Sequence, residues 1–425
     1  MSRGAEPARN RTSSPTAAGT PRTLATVVVL LVAWVVQAGT LEGVLGDAEE
    51  RVGLRPAPVF SRFAGHVATL VTAPTLSSPV SAALAGTAPI DTTMAGLGPL
   101  FLDHAATLGA GVTNVNVASQ RSFAQGSLFG QPFQELGAFA PPLLVKRTPT
   151  GNPAAPAAVG LRLTYALDLH VWATALAVSH GLSDSFDVSV VLPVVSTALD
   201  ATVRARVVQA TGPAGGAFHP VTGAPSVGGT IPAVSSTGVG DLTVRGKYRL
   251  PLPPPIRMAA TLEGQFPTGD PLELHGTGSY WLTPGLDAAL PLFGKRAELD
   301  GHAAIHVNLS KPQQSQALYG LSASAVVVPK RLATIVEFLG QSQLTTAFAP
   351  ADTDVLVLTP AGIAADPLLG VGWSGRLDQF NFAFGLRARL VATLMLFATG
   401  IVPLNRSVGV RAAGVVPTVG LGWSF

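Results

Sequence analysis

The chain has 425 residues, of which 47% are hydrophobic and 12% charged, about half the charged share of an average soluble domain. So few charges exclude an ordinary soluble surface, and the formal net charge of +3 gathers in the leader, not in the basic patch that nucleic acid requires. There is no Cys, which suits a disulfide-free envelope protein and a cytosolic one equally.

Arg3, Arg9, Arg11 and Arg22 precede an apolar stretch from Leu24 to Val36, closed by Gln37, Ala38 and Gly39. Residues 1–38 read as a secretory signal peptide cleaved after Ala38, with an uncleaved anchor as the alternative because the basic leader is long. Without its four Arg and Glu6, 23 basic residues face 23 acidic ones. Beyond about residue 39 no uninterrupted apolar run approaches the ~18 residues a membrane helix needs.

Residues 39–100 differ in pattern from the rest of the mature chain. Leu41 to Val52 reads as a short amphipathic helix, and Phe60 to Ala85 as apolar segments broken by Pro. The stretch alternates too weakly for barrel wall, which leaves a periplasmic linker or a plug folded into a lumen.

From about Gly109 strict alternation sets in, in segments near the ~10 residues of a tilted membrane strand. The pattern predicts an all-β transmembrane antiparallel barrel over residues 101–425. Its strands fall near 109–122, 159–178, 185–208, 238–250, 256–268, 277–291, 296–310, 317–329, 331–345, 373–389, 393–403 and 412–425. That is twelve, or fourteen if 123–158 hides a further one. The short connections at 181–184, 251–255, 293–295, 329–331 and 390–392 alternate with the long ones at 123–158, 209–237 and 346–372. This is the periplasmic and outer asymmetry of such barrels.

Within the strands, charged positions share one face, and charge on the lipid face is costly. Leu161, Leu163, Leu169 and Val171 are therefore expected outside, with Arg162, Asp168 and His170 lining the lumen. Arg204 and Arg206 follow in the next strand, then Arg245 and Lys247, and Glu263 after them. Glu298, Asp300, His302 and His306 share an inward face, as do Arg387 and Arg389. At the end of the chain Val419, Leu421, Trp423 and Phe425 alternate with Thr418, Gly420, Gly422 and Ser424. This reads as the closing strand, its apolar side in lipid and its aromatic end a signal to the barrel-assembly machinery.

Several phrases resemble bacterial outer-membrane barrels of the meta-pathway phenol degradation group, a transporter-like family. They are Gly98-Pro-Leu-Phe101 with His104 to Gly109, Gly238-Val-Gly-Asp-Leu-Thr243 with Lys247 to Arg249, and Phe266-Pro-Thr-Gly-Asp270. Gly276-Thr-Gly-Ser279 with Pro284-Gly285, and Pro417 to Phe425, complete the set. The resemblance spans roughly residues 96–425 and carries no catalytic residues to transfer. It implies uptake of hydrophobic or aromatic small molecules.

The residues support chemistry weakly. His302 and His306, four apart on a strand, are over ~13 Å apart, too far for one metal ion, and read as a hydrogen-bonding network. Ser179-His180 lacks hydrolase surroundings, and no phosphate loop is present. Neither a metal nor another cofactor is expected. The sequence reads as a monomeric outer-membrane channel for passive passage of a small-molecule solute, narrowed by its N-terminal segment and by the loop 209–237. A non-transporting structural or surface-interaction barrel is the competing reading, and an enzyme ranks third.

Overall fold

The lower strands are built from residues whose side chains alternate between exposed apolar and buried polar, and the computed structural model folds them into a closed wall. It describes residues 78–85, 99–125, 143–147, 157–211, 226–293, 296–345, 347–348, 355–359, 362–366, 373–374, 378–405 and 415–425. The signal peptide and the helix expected at 41–52 lie outside these residues.

The strands are β1 (Thr113–Gln125), β2 (Leu143–Arg147), β3 (Ala157–Ser183), β4 (Phe186–Thr211), β5 (Ser226–Val239) and β6 (Leu242–Arg249). Next come β7 (Arg257–Phe266), β8 (Trp281–Leu292), β9 (Ala297–Asn308), β10 (Gln316–Val328) and β11 (Leu332–Gln343). The short β12 (Ala347–Phe348), β13 (Val355–Thr359), β14 (Gly362–Asp366) and β15 (Trp373–Ser374) precede β16 (Asp378–Val391), β17 (Leu394–Pro403) and β18 (Val416–Ser424). One helix, α1 (Pro79–Ala85), lies ahead of them. Among the described residues no helix is long and apolar enough to cross a membrane.

Twelve strands close the barrel in the order β3-β1-β18-β17-β16-β11-β10-β9-β8-β7-β6-β4, and β4 returns to β3. The closing seam is β1 against β18, from Asn114 opposite Ser424 to Gln120 opposite Thr418. The backbones of Thr113 and Phe425 exchange both hydrogen bonds, each at 2.9 Å. The short connections lie at one end and the long ones at the other, as the alternation predicts. An extra strand does occur within 123–158, but β2 pairs only with the far end of β3 and stays outside the twelve.

The outer face is apolar. Leu321 is 60% exposed, and Val336, Phe384 and Trp423 are also exposed, while their chain neighbours Ser322 and Glu337 are 1% exposed. On β18 Thr418 is fully buried and Val419, Leu421 and Trp423 are exposed, the predicted orientation. The small residues of its inner face make room for neighbouring strands. A Cβ on Gly420 would stand 2.1 Å from the Phe397 ring, and one on Gly422 2.2 Å from Asn116.

Two expectations need correction. Leu169 is 3% exposed and faces inward, whereas His170 shares its side of β3 with the 56%-exposed Trp172. The register agrees, since His170 opposes Phe123 on the side of Arg121 and Trp172. With 27 residues, β3 runs far past the ~10 needed to cross a bilayer, so alternation at its far end does not report on lipid. The stretch 226–239, expected within an inward loop, is instead β5. It pairs with the far half of β4, and β6 takes the near half, so the two form one wall position bent at Gly240 and Asp241.

Candidate functional site

All described residues belong to one compact unit, Val36–Phe425, and the lumen of its barrel holds part of the chain itself. Helix α1 packs with its buried Ala82, Ala83 and Leu84 against Ala118, Ala175, Ala177 and Val191 of the inner wall. Residues 99–108 then cross the lumen without regular structure, Leu100, Phe101 and Leu102 joining the same apolar cluster.

This irregular stretch leaves its backbone polar groups unpaired by any ladder, and the wall supplies their partners. Glu337 on β11 accepts the Leu100 N–H at 2.6 Å and the Phe101 N–H at 3.1 Å. Arg387 on β16 donates to the Pro99 carbonyl at 2.5 Å. On the opposite wall Arg245 and Lys247 of β6 both engage the Asp103 carboxylate, and Lys247 also reaches the His104 carbonyl at 3.1 Å. The His104 ring donates through Nε2 to Glu298 at 2.7 Å, its Nδ1 being held by the Ala106 N–H at 2.9 Å. Arg257 binds the other oxygen of Glu298. Asp187 of β4 takes the Leu108 N–H at 2.9 Å.

Six inward charges, Asp187, Arg245, Lys247, Glu298, Glu337 and Arg387, thus bind this inner stretch. The sequence pattern places such groups on the lumen wall without indicating that the chain itself would occupy them. Missing from the sequence reading are Asp103, His104 and Asp187. The first two sit in an irregular segment that no periodicity marks, although His104 begins one of the family-like phrases.

The remaining inward groups lie on β7 to β9. His302 meets Asp287 at 2.6 Å across the β8–β9 ladder. His306 instead bonds Thr283 at 2.6 Å and stacks on Trp281, ring centroids 4.2 Å apart and 7° from parallel. The two His take separate partners, as their spacing requires. Between this wall and the inner stretch lies a cavity of about 60 Å³. Arg245, Glu263, His302 and His306 line its polar side, and Leu84, Phe101 and Leu318 its apolar side. Arg389 is half-buried at the short-turn end of β16. The side chains of Arg162, Asp168, Arg204 and Arg206 lie outside the described residues.

Ser179 and His180 face opposite ways. Ser179 bonds Ser189 inside the barrel, while the exposed His180 ring meets Thr113, so no Ser–His pair exists there.

A second inward element is the connection 267–280 between β7 and β8. Three family-like phrases converge on its anchor, Asp241, which accepts the N–H groups of Gly269 (3.0 Å) and Thr277 (2.8 Å), the Thr277 hydroxyl (2.7 Å) and the Gln265 amide (2.9 Å). Gly276 has to be glycine for this packing, since a Cβ would lie 2.3 Å from the Asp241 carboxylate. Glu273 reaches Ser236 at 2.7 Å, and its carbonyl takes the Thr197 hydroxyl at 3.1 Å, fastening the loop to β4 and β5. His275 beside it is buried, which lowers its pKa below the usual imidazole value even though Glu273 stands near.

Several solved barrels are similar in outline. An outer membrane channel from Pseudomonas putida F1 is 15% identical over 75% of this chain and 97% of its own, with a TM-score of 0.42. A Pseudomonas aeruginosa FadL homologue is 11% identical over 83% and 98%, TM-score 0.32. The CymD monoaromatic hydrocarbon channel is 8% identical over 76% and 91%, TM-score 0.33. No curated protein matches the chain. The sequence itself is decisive at the level of family. Residues 149–387, more than half of the chain, match the family described as "Putative MetA-pathway of phenol degradation", and the chain belongs to that family.

Proposed function

We propose that the protein is an outer-membrane channel through which small hydrophobic or aromatic molecules pass by passive diffusion, held nearly closed by its own inner stretch. The observation that carries this reading is the cavity beside residues 99–108. It has an apolar side, a polar side and an irregular inner boundary, the mixture found in small-molecule sites. The short-turn end is then periplasmic and the apolar outer face meets lipid. Family membership supports uptake of aromatic compounds through the family's name alone. On this reading α1 and the inner stretch act as a plug, and the terminal Val419 to Phe425 strand addresses the chain to the assembly machinery.

The test is conductance of the purified protein in planar bilayers, with and without a small aromatic solute. Low wild-type conductance that rises in Asp103→Ala supports the channel. Absence of conductance in both proteins, together with unchanged solute uptake in a deletion strain, would overturn it. One observation favours a non-transporting barrel, namely that the cavity is small and the wall binds the inner stretch from several sides. Altered surface adhesion in that deletion strain would then be the expected phenotype.

A further inference from the structure

At the short-turn end of the barrel the charges are sorted by sign. Four connections, 250–256, 293–296, 329–331 and 392–393, join strands that follow one another in the wall from β6 round to β17. These turns and their flanks, 249–257, 293–296, 329–331 and 389–393, contain seven Lys or Arg and no Asp or Glu. The inward loop 267–280 at the opposite end is the reverse, with Asp270 and Glu273 and no Lys or Arg.

Backbone hydrogen bonds set the turns side by side. The Arg296 carbonyl accepts the Val326 N–H at 2.9 Å, and the Arg331 carbonyl accepts that of Arg389 at 2.8 Å. Arg249, Arg296, Lys330 and Arg331 are exposed, and the ion pairs among the described residues involve none of the four. The exposed Asp184 lies outside this arc, on the β3–β4 turn. Like charges on neighbouring strands repel, so the arc favours an anion from outside the chain. Apolar groups stand among the cations: Phe293 is 82% exposed, and Leu252, Val328 and Leu390 are exposed as well. Phe293 and Lys330 have φ of +49° and +61°, so two of the turns hold a large side chain in a conformation that favours glycine.

We propose that this arc binds anionic phospholipid of the inner leaflet, its guanidinium and ammonium groups on the phosphate and its apolar turn residues against the acyl chains. The surface rests on the outer-membrane reading, in which the short turns are periplasmic. Arg suits a phosphate because its fork donates two parallel hydrogen bonds, and clustered basic groups at a membrane boundary draw anionic headgroups. A soluble anion would answer the cations and leave Phe293 and Leu390 in water, whereas a phospholipid covers both. Tyr248, 46% exposed beside Arg249, is the kind of aromatic that sits at headgroup level.

The experiment is native mass spectrometry of the full barrel in a neutral detergent, titrated with phosphatidylglycerol and, separately, with phosphatidylcholine of the same chain length. The first phosphatidylglycerol should bind about fivefold or more tightly than the first phosphatidylcholine, and the preference should shrink as salt rises. Replacing Arg296, Lys330 and Arg331 together by Gln should bring the two lipids close to equality, while Lys311→Gln, at the opposite end, should change nothing. Heat-modifiable gel mobility verifies folding, and Lys330→Gln alone, with a partial loss of preference, carries the test if the triple variant does not fold. Equal binding of the two lipids by the wild type, or an unchanged preference in the variants, would overturn the surface. So would glycerol phosphate, which lacks acyl chains, binding as tightly as the lipid. Preferential binding of polyglutamate over both lipids would assign the arc to an acidic protein and overturn it too. Failure of the wild type to insert into vesicles of either lipid would instead sink the outer-membrane reading itself.

Discussion

Asp103, carried on the stretch ahead of β1, lies 3.0 Å from the ammonium of Lys247 on β6, and both side chains are almost fully buried. Arg245 engages the same carboxylate. Asp103→Ala would leave two buried cations without their counter-charge. The expected cost is about 3–5 kcal/mol. Hydrogen exchange of residues 99–108 should speed up while the amides of β9 to β11 stay protected, and exchange mass spectrometry reads both.

Asp241 anchors the inward loop through four accepted hydrogen bonds. Asp241→Ala strips a charged acceptor from buried donors and should cost on the order of 3 kcal/mol. Limited proteolysis should then cleave within 267–280, and the same loop should resist cleavage in the parent protein.

The same loop should respond to acid through His275. Burial lowers its folded-state pKa, so the folded loop binds fewer protons than the unfolded one. The stabilisation is fully present above the ordinary imidazole pKa of ~6.5 and falls away as pH drops below it. Protease resistance of the loop should therefore decline between about pH 7 and about pH 5. His275→Gln should flatten that decline.

Gly420 faces the Phe397 ring across the β17–β18 ladder, with no room for a methyl group. Gly420→Val should cost about 1–3 kcal/mol through overpacking. The fraction of chains that migrate as folded barrel on a cold gel should fall, and the loss should exceed that of Val419→Ala on the outer face.

Val336, in the middle of β11, is 43% exposed on the apolar side. Val336→Arg should cost about 2–4 kcal/mol if that side meets lipid at the bilayer midplane. Urea unfolding from vesicles measures it. A negligible cost would place the residue near an interface or in water.

Alternation in the sequence marks the wall well because lipid and a packed lumen impose period two on β6 to β11 and β16 to β18. Strand limits such as 317–329 against the observed Gln316–Val328 differ by a residue at each end. It serves poorly where no bilayer imposes it, as at Leu169 and His170 on the long β3. The candidate site is less legible still. Glu298, Asp300, Arg245 and Lys247 are readable as inward, but their partners Asp103 and His104 lie in a stretch held by backbone hydrogen bonding to side chains far away in sequence. Only the tertiary fold brings Leu100 to Glu337, 237 residues away.

The inner stretch also changes the electrical character of the passage. Arg245, Lys247, Glu298, Glu337 and Arg387 count as wall charges in the sequence, yet each is largely compensated by residues 99–104 or by a neighbour bound to them. A molecule in the cavity therefore lies beside Arg245 already paired with Asp103 and His302 already paired with Asp287, and not beside free wall charges. An uncharged molecule can lie beside such a wall without surrendering hydration to a strong field, whereas a small ion finds little there to replace its water shell.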